Sequence, residues 1–183
     1  MLGHQLYNYL KLKKYKVYGC IKNKDLKKKF ENLYYVNVKN FKYVKKIVSK
    51  TNPDYVINCS GIVKKNIKSI NDLYEVNALF PIKLDLLSQK KKFKLIHIST
   101  DCVFDGKKGN YSEKTKPNAN DLYGKSKAAG EINDEVNLTI RTSTIGHELS
   151  TKYGLLEWFL SNKKTIIKIM FRRPLIIFFS LYT

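Results

Sequence analysis

Residues 94 to 131 read KLIHISTDCVFDGKKGNYSEKTKPNANDLYGKSKAAGE. The first six form an apolar run of strand length, KLIHIS. A polar loop from Thr100 to Asp121 follows, holding Gly106, Gly109 and Pro117. Small residues and helix formers then carry Tyr123 and Lys127 four positions apart. Side chains at i and i+4 share a helix face, so an ammonium there can sit beside the phenol and stabilise its phenolate. Strand, loop and helix in this order place a candidate proton donor just after a strand end.

On the N-terminal side, residues 70 to 90 carry Leu73, Val76, Phe80, Leu84 and Leu87 at helical spacing, with Pro81 near the middle. Before them stands a strand, YVINCS (55 to 60), entered through the turn Asn52-Pro53-Asp54. NFKYVKKIVSK (40 to 50) reads as a helix with Val44, Ile47 and Val48 on one face, and YYVNV (34 to 38) and KVYGCI (16 to 21) as strands. Leu2, Leu6 and Leu10 open the chain at helical spacing. On the C-terminal side LTIRTS (138 to 143) is a further strand. Helices thus alternate with short strands apolar on both faces, which predicts an α/β fold with a parallel sheet covered on two sides.

In such folds ligands lie along the carboxyl ends of the strands. Those ends carry small or polar residues: Gly19 and Cys20, Asn37, the run Cys59-Ser60-Gly61, and Ser99-Thr100-Asp101. Small residues let a cofactor approach the backbone, and hydroxyls donate hydrogen bonds. On pattern alone Ser99, Thr100 and Asp101 serve equally well to cap or turn the chain after a strand. Ser60 and Gly61 fit an ordinary strand exit, and His97 reads as a core-facing strand residue.

The chain has 183 residues, 43% of them hydrophobic and 13% aromatic, enough for one folded domain with a substantial core. Its formal charge of +20 raises nucleic acid as a partner. The excess is almost all lysine, scattered over nearly every segment without arginine–aromatic interleaving, so it is read as solvated faces and no nucleic-acid partner is expected. Cys20, Cys59 and Cys102 lie far apart, which argues against zinc and a disulfide framework and for a reduced, cytoplasmic protein. No metal-ligand constellation is visible. MLGHQLYNYLKLKK lacks the pattern of a signal peptide, and PLIIFFSLYT is about half the ~20 residues of a membrane-spanning helix, so no membrane span is expected.

Taken together, GHQL (3 to 6), PDYVINCSG (53 to 61), VNA (76 to 78), ISTDCVFDGKKGNYSE (98 to 113), PNANDLYGKSKAAGE (117 to 131) and LTIRTSTIG (138 to 146) resemble the extended short-chain dehydrogenases/reductases, within them the dTDP-4-dehydrorhamnose reductase-like branch of sugar-nucleotide reductases. The resemblance is collinear over roughly residues 1 to 165. It implies a Rossmann-like doubly wound parallel sheet. The implied activity is NAD(P)H-dependent reduction of a nucleotide-linked 4-keto-6-deoxy sugar in surface polysaccharide biosynthesis.

By the same resemblance, Tyr123 donates a proton to the keto oxygen as the nicotinamide delivers hydride to carbon. Lys127 lowers the phenol's pKa and binds the nicotinamide ribose, and Thr100 hydrogen-bonds the developing alkoxide. Asp101, Val103 and Phe104 fall at substrate positions, with Cys102 where the family usually has Tyr. Cys59, Ser60, Gly61, Asn77 and Ser99 fall beside the cofactor. Asn37 and Val38 match positions near the adenine, although the family commonly has Asp where Asn37 stands. Lys22 or Lys24, just past KVYGCI, would meet a 2′-phosphate, which favours NADPH over NADH.

Gly3 and His4 match the end of the family's phosphate-binding loop; His4 and His147 have no acid partners and receive no chemistry of their own. Some full-length relatives pair as homodimers, and some use magnesium at a subunit contact.

The resemblance also implies departures. Of the family's G-x-x-G-x-x-G only Gly3 is present, and the first strand that precedes it is absent. GLLEWFLSNKKTII (154 to 167) keeps the family's pattern, whereas KIMFRRPLIIFFSLYT (168 to 183) does not. The expected organisation is an incomplete NAD(P)-binding domain over 1 to 165 and an aberrant apolar tail over 166 to 183 from a shifted reading frame, with most of the substrate-binding part missing. Such a fragment is expected to bind NADPH weakly or not at all. A non-catalytic nucleotide-binding regulatory subunit of the same fold is the alternative, and a lysine-rich nucleic-acid binder a third.

Overall fold

A computed structural model describes residues 2–22 and 32–146, together with Leu156 and Leu160. The chain divides into two compact units, Met1–Thr144 and Ile145–Thr183. All the secondary structure discussed below lies in the first. Of the second unit only Ile145, Gly146, Leu156 and Leu160 are described; the tail expected over 166–183, Lys24 and His147 lie outside the described residues.

The first unit alternates helices with short parallel strands. Helix α1 spans Leu2–Leu12, strand β1 Gly19–Ile21, β2 Leu33–Tyr35, α2 Phe41–Thr51 and β3 Tyr55–Asn58. Helix α3 (Ile70–Tyr74) runs through a π-helical turn, Glu75–Leu79, into α4 (Phe80–Lys91). Strand β4 (Lys94–Ile98), helix α5 (Leu122–Ala128) and strand β5 (Leu138–Ile140) complete the order. Each predicted strand is present but shorter: β1 begins three residues later than predicted, while β2 to β5 end earlier, where the polar rim residues begin.

Strands β1 and β2 pair in parallel, Gly19 opposite Leu33, and β3, β4 and β5 form a second parallel sheet in that order, with Asn58 opposite His97 and His97 opposite Thr139. No ladder joins the two sheets among the described residues. The orders β2-β1 and β3-β4-β5 are those a doubly wound sheet shows on either side of its first strand.

One core cluster gathers Val36, Val44, Ile47, Val48, Phe80, Leu84, Leu87, Phe93 and Leu95, so α2 and α4 share one face of the sheet. Helix α2 earns this place by periodicity: its Val44, Ile47 and Val48 are the buried residues. It starts at Asn40, whose side chain accepts the Tyr43 N–H, and stops at Asn52 in the left-handed conformation. In α1 the leucine stripe is only half-buried, and the fully packed residue is Tyr7, beside Gly19 of β1.

The predicted helix over 70 to 90 is continuous in space but changes pitch at Glu75–Leu79. Pro81 has no N–H to offer the Asn77 carbonyl four residues earlier, which relaxes the regular ladder there. Gly130 packs against that same Asn77 carbonyl, where a Cβ would overlap it. The irregular turn therefore brings Asn77 against the segment that follows α5.

Candidate active site

Strand β4 ends at Ile98, and the next three residues turn sharply. Thr100 caps a 3-10 turn, Asp101–Val103, its Oγ1 accepting the Cys102 N–H at 3.2 Å and donating to Asp101 Oδ1 at 3.1 Å. Helix α5 starts opposite this turn because Asp121 caps it, Oδ1 accepting the Gly124 N–H at 3.0 Å. Gly124 lies against the Cys102 carbonyl and Ala119, with no room for a Cβ. That close approach brings the Tyr123 phenol under the influence of the Thr100 hydroxyl.

Burial pushes the Tyr123 phenol above its ordinary pKa, the Thr100 hydrogen bond opposes this, the charges of Cys102 and Asp101 add to it, and the ammonium of Lys64 pulls it down. Lys64 comes from a 3-10 turn, Lys64–Asn66, and its Nζ is 3.0 Å from Asp121 Oδ2. The helical spacing predicted Lys127 as the cation beside the phenol. In the structure Lys127 Nζ instead donates to the Ile98 carbonyl at 2.7 Å, and Lys64 is the lysine whose charge acts on the phenol.

Lys127 is 4% exposed, and burial lowers its pKa to about 8 against the pull of Glu131 and Cys59. An ammonium has three donors, so the Ile98 bond leaves two. Gly61 borders this ammonium, a Cβ there standing 4.0 Å from Nζ and 3.5 Å from Asn77 Oδ1. Asn77, fully buried, holds the same turn: its Oδ1 accepts the Ile62 N–H at 2.8 Å and its Nδ2 donates to the Ile62 carbonyl at 3.0 Å. Nδ2 also lies 3.0 Å from Ser126 Oγ, which donates to the Tyr123 carbonyl.

At the other end of the turn the Ser60 N–H donates to Asn58 Oδ1 at 3.0 Å. Cys59, half-buried, has its thiol pushed up by burial, with Lys127 opposing. Gly3 in the first turn of α1 packs against it, a Cβ there lying 3.4 Å from Cys59 Cβ. His4 follows Gly3 in α1 and is half-buried.

Ser99 Oγ donates to Glu131 Oε1 at 2.9 Å, and Arg141 grips the same carboxylate through Nε at 2.8 Å and Nη2 at 2.7 Å. Arg141 Nη1 reaches the Glu113 and Thr115 carbonyls, and its guanidinium lies 5.1 Å from the centre of the Phe104 ring. The loop from Thr100 to Asp121 is thereby tied to the strand ends.

The structure therefore brings together Thr100, Tyr123, Lys127, Cys59, Ser60, Gly61, Asn77, Ser99, Asp101 and Gly3. Two residues expected at substrate positions are packed within the loop itself. Val103 is fully buried, with its carbonyl accepting the Asn118 and Ala119 N–H groups, and Phe104 stacks on Tyr111 with ring centres 4.2 Å apart beneath Arg141. Both hold the loop's shape.

Lys22 and Asn37 are exposed near the ends of β1 and β2, and Asn37 Oδ1 accepts the Lys39 N–H. Val38, expected near an adenine, is half-buried and packs against the core cluster. Lys64, one lysine among many, carried no signal in the sequence. Glu131, Arg141 and Ser126 lay inside recognised motifs without a role. Among the described residues no group of three His, Cys, Asp or Glu could hold a metal ion, and no helix is long and apolar enough to cross a membrane.

Comparison with known proteins places this arrangement. A solved structure described as a hypothetical dTDP-4-dehydrorhamnose reductase from Sulfolobus tokodaii superposes with a TM-score of 0.66 and 29% identity, over 76% of this chain and 52% of that one. The dTDP-4-dehydrorhamnose reductase of Bacillus anthracis in complex with NADP superposes at 0.50 with 26% identity, over 61% of this chain and 46% of that one. Methionine adenosyltransferase 2 subunit beta of Xenopus tropicalis is 29% identical over 139 residues, 72% of this chain and 39% of that protein. The chain thus spans about half, or less, of the length of these relatives. The RmlD substrate binding domain profile matches residues 1–152, most of the chain, and with the parallel Rossmann-like architecture this shows that the protein belongs to the RmlD-like family of extended short-chain dehydrogenases/reductases.

Proposed function

We propose that the site serves the NAD(P)H-dependent reduction of a nucleotide-linked 4-keto-6-deoxy sugar, with Tyr123 as the proton donor. The juxtaposition of Tyr123 and Thr100 at a strand end, with the Thr100 hydroxyl lowering the phenol's pKa and Lys127 buried nearby, carries this reading. A bound nicotinamide would supply hydride to the keto carbon. The residues present fit such a group: Lys127 beside Gly61 has donors beyond its Ile98 bond, and the Bacillus anthracis relative holds NADP.

As the keto carbon is reduced its oxygen gains negative charge, and the Tyr123 hydroxyl gives up its proton there. The phenolate left behind is stabilised by the charge of Lys64 and by the Thr100 hydroxyl, whose one proton turns from Asp101 to the phenolate oxygen. Lys127, with two free donors, holds a ribose hydroxyl next to Gly61. Asp101 fixes the Thr100 hydroxyl, and Ser99 and Asn77 hold the two walls of the cleft.

The test is NADPH oxidation, followed by the loss of the reduced nicotinamide's absorbance, on addition of a dTDP-4-keto-6-deoxy sugar. Turnover supports the reading, and its absence in folded protein shown to bind NADPH overturns it. A second reading, a non-catalytic nucleotide-binding subunit of another enzyme, is favoured by the similarity to methionine adenosyltransferase 2 subunit beta. It predicts nucleotide binding without turnover.

A further inference from the structure

One buried titratable group has no part in that mechanism. His97 stands in β4, fully buried, with Asn58 of β3 and Thr139 of β5 as its cross-strand partners. Its Nδ1 is 3.1 Å from Asn58 Nδ2. Asn58 Oδ1 is committed to the Ser60 N–H, which fixes the amide's orientation. Nδ2 is then the donor, Nδ1 the acceptor, and the imidazole proton sits on Nε2. Nε2 has no hydrogen-bond partner among the described residues. An apolar residue would fill this space without burying an unpaired N–H, so what the histidine supplies is a lone pair for Asn58.

We propose that His97 is a positioning residue that, through Asn58, fixes the Cys59-Ser60-Gly61 turn against Lys127 and so sets the strand exit along which a nicotinamide cofactor lies. The last clause rests on the reductase reading. The turn is anchored twice, at Ser60 by Asn58 and at Ile62 by Asn77. Between the anchors Gly61 borders the Lys127 ammonium. Remove the His97 lone pair and Asn58 Nδ2 becomes a buried donor without an acceptor; the amide rotates to find one, and the Ser60 N–H loses its partner. A protonated ring has no lone pair on Nδ1 and would do the same. Lys127 from α5, whose charge adds to burial, keeps the ring neutral; Cys59 on the strand exit is the other titratable group nearby.

The test uses the full chain and two readouts that need no cofactor. Nitrogen-15 NMR of the wild-type ring at neutral pH is expected to show Nδ1 bare and Nε2 protonated; the opposite tautomer overturns the proposal even if every variant fails to fold. Amide exchange at Ser60 is expected to quicken about tenfold in His97→Leu and to recover in His97→Gln, whose carbonyl offers Asn58 an acceptor, with α2 protection unchanged. Equal protection of Ser60 in wild type and His97→Leu overturns it.

A third readout is NADPH titration, where His97→Leu is expected to weaken binding about tenfold and His97→Gln to restore it. Loosened Ser60 with unchanged NADPH affinity overturns the proposal as stated. Failure of the wild type to bind NADPH counts against the reductase reading, while the ring and exchange data still decide the Asn58 anchor.

Discussion

Arg141 holds Glu131 through two parallel hydrogen bonds, 2.8 Å from Nε to Oε1 and 2.7 Å from Nη2 to Oε2, while Glu131 Oε1 also accepts the Ser99 hydroxyl. The fork joins three segments distant in sequence: the β4 exit, the end of α5 and the chain after β5. It also carries the 100–121 loop, through the Glu113 and Thr115 carbonyls and the Phe104 ring.

Arg141→Ala should therefore destabilise the protein by about 2 kcal/mol, because the carboxylate, largely shielded from water, loses both donors. Arg141→Lys should lose about half of that, since an ammonium cannot match the fork. Urea unfolding measures both, and equal stabilities for all three proteins would refute the clamp.

The Lys64 ammonium, paired with Asp121, favours the Tyr123 phenolate. In Lys64→Met the phenol's pKa should rise further, so ultraviolet titration of the tyrosinate band should show Tyr123 ionising at higher pH than in wild type. The basic limb of any reductase activity, where the phenol loses its proton, should move the same way. An unmoved titration would remove Lys64 from the site.

His97 gives a pH dependence with a definite sign. Burial, with Lys127 adding, lowers its pKa from 6.5 to about 3, so between those values the unfolded chain binds the extra proton. Its contribution to stability is present above 6.5 and is lost as the pH falls towards 3, with a slope of at most about 1.4 kcal/mol per pH unit. Urea unfolding across that range should show stability falling with acid in wild type and a shallower fall in His97→Gln. Identical slopes would contradict a buried neutral ring.

Gly124 and Gly130 are predicted to tolerate no side chain. A Cβ at 124 overlaps the Cys102 carbonyl and Ala119, and one at 130 overlaps the Asn77 carbonyl and crowds Pro81. Gly124→Ala or Gly130→Ala should cost about 1–3 kcal/mol each despite the better helix propensity of alanine. Thermal melts at wild-type levels would show that these packings give way easily.

Much of this was legible in the sequence where period or chemistry was strong. The Val44, Ile47, Val48 face marked α2, and the polar strand exits marked the rim that gathers Ser60, Gly61, Ser99 and Thr100. The π-helical turn at Glu75–Leu79 was hidden because its apolar spacing still fits a helix, and only Pro81 hinted at it. Lysine roles were the least legible. Spacing puts Lys127 on the face of Tyr123, but direction decides the partner, and the Ile98 carbonyl accepts its hydrogen bond while Lys64 arrives from a distant loop. Val103 and Phe104 show the same limit, since an apolar residue in a motif loop reads alike whether it touches a ligand or fills the loop.

The central claim is that Tyr123 gives the proton. The most direct measurement compares wild type with Tyr123→Phe in the reduction of a dTDP-4-keto-6-deoxy sugar by NADPH, with cofactor affinity measured alongside. The account predicts that the phenylalanine variant loses on the order of a hundredfold or more in kcat with NADPH affinity little changed. A variant that turns over at the wild-type rate would contradict it.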